Sequence, residues 1–341
     1  MSDSYPLSLQ LEADKAKPPS GKHRLRKKLW PGARKTRVLQ RYLIWPLQGL
    51  LLALFSRICA ILPPERAAAA GGRMAALVGP RLSKSRRVRR NVALAFPEKT
   101  WPEIDQIVTG VWRNFGQVLA EYAHLDSISA RAGNGRVEVV IKGDDPAWAK
   151  SDKPKLFVTA HLANWELAAS SVVSLGIPLS VIYSPQNNPW VDRLIQKLRQ
   201  PLGCGFLAKE DSIRSIMGAL KTGRSIGMLV DQRVDSGENV PFFGLDAQTT
   251  TTPARLALKY GYELVPIRIE RLQVARYRAT FYEPVEPPDP KLGRREQALE
   301  MTRQINALIE TWVRERPEQC SFTKRRWARE IKPVQRLGGG K

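Results

Sequence analysis

Cysteine is scarce in this chain: three in 341 residues, Cys59, Cys204 and Cys320, odd in number and far apart. That spacing offers neither a disulfide framework nor a metal-ligand motif, and it fits a reducing compartment. Histidine is equally scarce, with only His23, His124 and His161. His23 lies in a basic tail and His124 ends an amphipathic stretch, so a histidine base, if there is one, is His161. Acidic residues are few as well. Asp plus Glu number 32 against 55 Lys plus Arg, a net charge of +23. Such a balance implies an anionic partner: nucleic acid, anionic lipid, a phosphorylated substrate or an acidic protein. The nucleic-acid option finds no zinc spacing, RNP-like aromatic pattern or recognition helix to support it. No internal repeat is present. No serine or cysteine stands in a convincing nucleophile triad.

Only one apolar run reaches membrane scale. Residues 43–62, LIWPLQGLLLALFSRICAIL, match the roughly 20 residues of a spanning helix. Pro46, Gln48, Ser56 and Arg57 interrupt it. It reads as an anchor that spans the bilayer or lies in the interface, with an ordinary buried helix as the plainer alternative. Lys35, Arg37 and Arg41 flank it on one side and Arg66 and Arg73 on the other, so the positive-inside rule sets no orientation. A long tail precedes it and no small-residue cleavage site is clear, which argues against a cleavable signal peptide. The expected organisation is a basic, disordered tail over 1–40, an anchor over 41–65, an α/β domain over 66–330 and a flexible tail over 331–341. Residues 81–90, RLSKSRRVRR, carry six basic side chains and are expected to rest on lipid headgroups.

Beyond Arg136 strands and helices alternate. Period-2 and short apolar runs predict strands over 137–141, 156–160, 179–184, 226–230, 264–269 and 275–283. Helical spacing predicts helices over 101–124, 189–199, 211–221, 253–260 and 294–314. The alternation argues for an α/β fold, a mixed sheet covered by helices, behind an N-terminal membrane-anchoring helix.

The chain is organised around residues 155–169, KLFVTAHLANWELAA. A buried strand runs into a sharp turn carrying His161, and a helix is expected from near Ala163. A histidine at the carboxyl end of such a strand stands where α/β folds place their ligands. A neutral imidazole can take a proton from a hydroxyl near pH 7. A nearby carboxylate can hold the other ring nitrogen and fix the tautomer, and Glu166 follows five residues on. Residues 230–233, VDQR, also follow a strand end. Their polar side chains face the same crevice if both strands are parallel and central. Arg233 there can pair with a phosphate or an oxyanion, or simply sit in a surface loop. The threonines at 249–252 can cap the helix that Pro253 opens. Residues 183–189, YSPQNNP, have the composition of a turn.

Several blocks recur in order: NVALAFP at 91–97, Asn114-Phe115-Gly116 with Glu121, HLANWE at 161–166, and Asn188-Pro189. DQR at 231–233 follows, with VPFFG and the threonine run, then Val265-Pro266-Ile267, Pro317-Glu318-Gln319 and Arg325-Arg326-Trp327. On these blocks the chain resembles the bacterial lipid A late acyltransferases, the lauroyl/myristoyl acyltransferase family, over about residues 43–327. The resemblance implies a glycerolipid-acyltransferase-like α/β domain behind a membrane anchor, at the cytoplasmic face of the bacterial inner membrane. It implies transfer of a fatty acyl chain from acyl carrier protein to a hydroxyl of a lipid A precursor. No metal and no bound cofactor are implied; the acyl thioester is a co-substrate. The implied partners are acyl carrier protein, anionic membrane lipid and the precursor, not nucleic acid. On this sequence the resemblance implies His161 as general base with Glu166 as its partner. Asn164, Asn188, Asp231 and Arg233 would line the substrate site.

The chain departs from the family in its C-terminal block, where CSFTKRRW lacks the histidine and aromatic residues common before Arg-Arg-Trp. If that block touches the acceptor headgroup, the acceptor differs. The glycerolipid acyltransferases share a His-x4-Asp pattern but carry an EGTRS-like block, which DQR replaces here. Three other readings stay open: a family member acting on another glycolipid such as a mannosylated phosphoinositide, a basic nucleic-acid-binding protein, and a non-catalytic scaffold.

Overall fold

The computed structural model describes residues 38–143, 147–209 and 212–333. The basic tail expected over 1–40 and the C-terminal tail over 331–341 lie outside these residues, apart from three positions of each. Two compact units are distinguished, one ending at Ile44 and one beginning at Trp45. The described part of the first holds a π-helical turn, Gln40–Ile44. The second opens with α1 (Trp45–Ile61). Among the described residues, Gln40–Ile61 is the one helical stretch long and apolar enough to cross a membrane. It coincides with the apolar run of the sequence.

After α1 come α2 (Pro64–Val78), α3 (Ser85–Ala95) and α4 (Trp101–Glu121). The start of α4 is set by a capping box, in which the Thr100 amide donates to Glu103 at 2.8 Å. Small residues decide how α2 meets α4. Ala67, Ala68, Gly71 and Gly72 form the buried stripe of α2. A Cβ placed on Gly116 of α4 would stand 2.2 Å from the Gly71 carbonyl oxygen, so the two backbones touch where no side chain fits.

The sheet has seven strands: β1 (Val137–Ile141), β2 (Leu156–Thr159), β3 (Leu179–Tyr183), β4 (Gly205–Ala208), β5 (Ser225–Leu229), β8 (Leu264–Gln273) and β9 (Arg276–Phe281). Their order is β1-β9-β8-β2-β5-β3-β4. The only antiparallel neighbours in it are β8 and β9; every other pair runs parallel. Both faces are covered, so the strands read as continuous apolar runs. Leu156 and Val158 of β2 face a core shared with α3, α4 and α9 (Arg294–Glu315), while Phe157 faces the opposite core under α5 (Leu167–Ser174). α6 (Pro189–Arg199), α7 (Ser212–Lys221) and α8 (Thr252–Tyr260) complete the cover. The mixed, helix-covered sheet agrees with the alternation of the sequence.

Local details go beyond or differ from the sequence pattern. Strand β4 had no apolar alternation to announce it. Glu238–Phe242 and Leu245–Thr249 pair as the antiparallel hairpin β6–β7, turning at Phe243 and Gly244 with positive φ. Thr249 therefore ends a strand, and the helix after it begins at Thr252 without a side-chain cap bond. Helix α5 starts at Leu167 rather than near Ala163, because Ala163 adopts φ 48° and turns the chain first.

Candidate active site

The register of two neighbouring strands creates the site. β2 and β5 run in parallel with Thr159 opposite Leu229. Two residues beyond each partner stand His161 and Asp231, so the two loops leave the sheet side by side. His161 Nδ1 lies 2.7 Å from Asp231 Oδ1, and the His161 backbone amide donates to Asp231 Oδ2 at 3.1 Å. Asp231 thus grips both the ring and the main chain of the histidine. Burial by itself raises the Asp231 carboxyl. The charge of His161, the two hydrogen bonds from it and the charge of Arg326 outweigh burial and hold the carboxyl below the usual carboxylate range. With a carboxylate accepting from Nδ1–H, Nε2 is the bare, basic nitrogen. The imidazole keeps 18% of its side chain exposed, so a substrate can reach it.

The loop carrying His161 is clamped from below. The Ala163 amide donates to Gln319 O and the Ser321 amide to His161 O, both at 2.9 Å. Leu162 bridges to Cys320. Asn114 donates to the carbonyls of Ala163 and Gln319, and the Gln319 side chain bonds the Arg271 backbone in both directions. Arg271 pairs with Glu121, which is fully buried and also accepts from Tyr277 and Asn164. These blocks, far apart in sequence, form one polar network under the turn that carries His161.

The structure assigns the expected site residues unequally. Glu166 does not orient His161. Its carboxylate accepts from Arg199 Nε at 2.9 Å, from the Tyr122 hydroxyl at 2.6 Å and from Trp165 Nε1 at 3.2 Å. The reason is the turn at Ala163, which carries position 166 to the far wall, where Arg199 and Tyr122 meet it. Burial raises the Tyr122 hydroxyl and the Glu166 charge adds to that rise; burial lowers Arg199, but the charges and hydrogen bonds of Glu166 and Tyr122 together more than reverse it. Asn164 is fully buried and donates to Glu121 at 3.0 Å, beneath the site rather than in it. Asn188 caps α6 and donates to Trp45 O and Gln48 Oε1, so it braces α1 and does not line the cavity at His161. Asp231 is the histidine's partner. Arg233 does line the cavity, with its Nε donating to Asp235 at 2.9 Å.

A cavity of about 680 Å³ opens at His161. Phe157, Val181, Ile182, Phe206, Ile216 and Met228 give it apolar walls, while Gln232, Arg233, Lys209, Arg255 and Lys324 give it polar and cationic ones. Among the described residues no cluster of His, Cys, Asp and Glu is arranged to hold a metal ion. Gln232, Arg199 and Tyr122 were not singled out from the sequence. Gln232 had a signal, its place inside the VDQR segment; the other two carry no local motif. The C-terminal block is mostly interior: Cys320, Phe322, Arg326 and Trp327 are buried, and Lys324 reaches the cavity.

The chain is similar to known proteins over most of its length. The chain is 26% identical over 291 residues to lipid A biosynthesis acyltransferase 1 of Shigella flexneri, covering 81% of this chain and 87% of that protein. It is 25% identical over 296 residues to the lipid A biosynthesis myristoyltransferase of Escherichia coli K12, at the same coverage. The solved 1-acyl-sn-glycerophosphate acyltransferase PlsC from Thermotoga maritima aligns at a TM-score of 0.34 and 14% identity, over 79% of this chain and 97% of that one. Residues 30–329 match the family described as bacterial lipid A biosynthesis acyltransferase. The protein belongs to that family and is an acyltransferase acting in lipid A biosynthesis.

Proposed function

We propose that this protein moves a fatty acyl chain from the thioester of acyl carrier protein to a hydroxyl of a lipid A precursor, with His161 as general base and Asp231 as its orienting partner. The observation that carries the reading is the 2.7 Å contact between His161 Nδ1 and Asp231 at the mouth of a large, apolar-walled cavity. Asp231 holds the Nδ1–H tautomer, and Nε2 takes the proton as the acceptor oxygen attacks the acyl carbonyl. Asp231 then stabilises the imidazolium, which returns its proton to the leaving thiolate. No enzyme nucleophile is needed, because a thioester already leaves readily. The cysteines are poor candidates for one: burial pushes the Cys204 thiol up to about 12 and the Cys320 thiol well above its ordinary value.

The remaining features fit the same reading. Glu166 and Arg199 form a fixed charged part of the cavity wall, and the cations Lys209, Arg233, Arg255 and Lys324 suit phosphates of the precursor or the acidic carrier. The anchor is α1. It leaves Leu47, Leu50, Leu51, Leu54, Ile58 and Ile61 exposed, while Gly49 and Cys59 face the domain. A Cβ on Gly49 would lie 2.7 Å from Trp190 Cβ, and His124 Nε2 stands 3.0 Å from the Cys59 carbonyl oxygen. A helix held near both ends offers its apolar side to one leaflet as an in-plane anchor. The positive chain would sit on the anionic cytoplasmic face of the bacterial inner membrane.

The test is acyl transfer by purified protein in detergent, with acyl carrier protein loaded with a series of chain lengths and a lipid A precursor as acceptor. The precursor should gain the mass of one acyl chain, and His161→Ala should abolish the gain. Folded wild-type protein that leaves the precursor unchanged with every donor would refute the donor–acceptor pair.

A further inference from the structure

We propose that the side-chain amide of Gln232 is a catalytic group that receives the oxyanion formed when the acceptor attacks the acyl carbonyl; this rests on the general-base reading of His161 above. Gln232 Nε2 lies 3.1 Å from His161 Nε2 and 3.3 Å from Nδ1. Neither contact is a hydrogen bond to a lone pair. The Nδ1 proton already points at Asp231. The two nitrogens flank one carbon of the ring, so an atom almost equidistant from both cannot lie along the in-plane lone pair of Nε2. Nor can it lie in the plane between them without overlapping that carbon. The amide therefore stands over the face of the imidazole.

This position divides the work between two groups. The in-plane lone pair of Nε2 stays open to the cavity for the acceptor hydroxyl, and a neutral N–H donor sits beside it. An oxygen within hydrogen-bond reach of Nε2, bonded to the carbonyl carbon, brings the carbonyl oxygen toward the Gln232 amide. Three other donors near the ring are committed. The Leu162 amide donates to Ala160 O at 2.7 Å and the Ala163 amide to Gln319 O at 2.9 Å, and Arg199 is paired with Glu166. Among the described residues the Gln232 amide nitrogen has no protein acceptor apart from the ring it covers.

The step balances. The acceptor oxygen bonds to the carbonyl carbon as its proton passes to His161 Nε2. The carbonyl π pair moves onto oxygen, which accepts a hydrogen bond from Gln232 Nε2–H. The oxyanion then re-forms the carbonyl, the carbon–sulfur bond breaks, and the thiolate takes the proton from the imidazolium. Gln232 keeps both its protons throughout. A neutral amide is suited to this place, since it stabilises the oxyanion without opposing proton uptake by the neighbouring ring.

The charged groups around His161 are Asp231 at Nδ1, Arg326 behind Asp231, Glu166 and Arg199 across the cavity, and Arg233 and Lys324 on its wall. None is changed in the two variants that test the proposal, Gln232→Leu and Gln232→Glu. Acyl transfer to the precursor and release of the same chain to water are measured in parallel across pH. Q232L should lower kcat of both reactions about 10²–10³-fold, the usual cost of one oxyanion donor. KM should change only a few-fold, and the limbs of the pH profile should stay in place. Q232E, which cannot donate, should lose at least as much and move the acidic limb to higher pH, because its carboxylate favours a protonated ring. Leucine fills the same space over the imidazole. Retention of kcat in Q232L would therefore assign Gln232 to packing and overturn the proposal, as would a loss that arises only from a displaced pH limb. Wild-type protein that releases the chain to water but spares the precursor would refute the acceptor, and the Gln232 comparison would still be decided on the water reaction.

Discussion

Replacing Asp231 by asparagine separates the orienting role from everything else at the site. The two residues are nearly the same size, so the change is one of hydrogen-bond polarity. In the native protein both carboxylate oxygens accept, one from Nδ1 at 2.7 Å and one from the His161 amide at 3.1 Å. Asparagine can supply only one acceptor. If its oxygen keeps the ring, its NH2 faces the main-chain N–H, a donor against a donor, at a cost of about 1–3 kcal/mol for the buried group left unpaired. If its NH2 faces the ring, the imidazole must carry its proton on Nε2, and the base is lost. The second arrangement costs less in the resting protein, so the variant should fold and fail to react. Losing both the tautomer and the charge that supports the imidazolium should lower kcat about 10³–10⁴-fold, or about 4–5 kcal/mol on the barrier. Initial rates from mass-spectrometric acyl transfer give the loss, and nitrogen-15 spectra of the ring give the tautomer. A rate within tenfold of wild type, or a proton still on Nδ1, would show that Asp231 does not do this work.

The other expectations concern the supporting structure. Glu166→Gln leaves the Arg199 side chain, 16% exposed, without its charged partner; unfolding in urea should show a loss of about 3 kcal/mol, partly recovered by adding Arg199→Met. Gly116→Val forces a side chain onto the Gly71 carbonyl and should cost about 1–3 kcal/mol or more, read from the same titration. Asp231 is held below its ordinary range, so the unfolded chain takes up this proton first. Its contribution to stability is then complete at neutral pH and lost as pH falls below about 4 and on through the folded value. Stepwise urea titrations should show that slope flattened in Asp231→Asn. Charges placed on the exposed side of α1, as in Leu50→Glu with Leu54→Glu, should release the protein from anionic vesicles in a flotation assay while leaving its melting temperature unchanged.

Much of the architecture is written locally. The strands at 137–141, 156–160 and 226–230 are short apolar runs, and such runs become strands wherever both faces of a sheet are covered. The long terminal helix carries its own spacing and cap, and the start of α6 is marked by Asn188 and Pro189. Hairpin β6–β7 alternates, but its two strands have only five residues each, carry few β-branched or aromatic side chains and include Pro241, which counts against a strand. Glu166 misled for a related reason. A left-handed turn at Ala163 stands between the two residues, and Glu166 meets Arg199 and Tyr122 instead of the ring.

By itself, then, the sequence determined the class of fold, the family and the segments that meet around His161. Composition, periodicity and ordered motifs are properties of neighbouring residues, and a chain carries them whether or not it is folded. The partner of that histidine was decided by the tertiary structure. His161 and Asp231 are seventy positions apart, and they meet because β5 lies beside β2 in parallel with Thr159 opposite Leu229. Strand order and register depend on which long-range pairing buries the most apolar surface at once. No local pattern encodes that choice, so the site exists only once the whole sheet has formed.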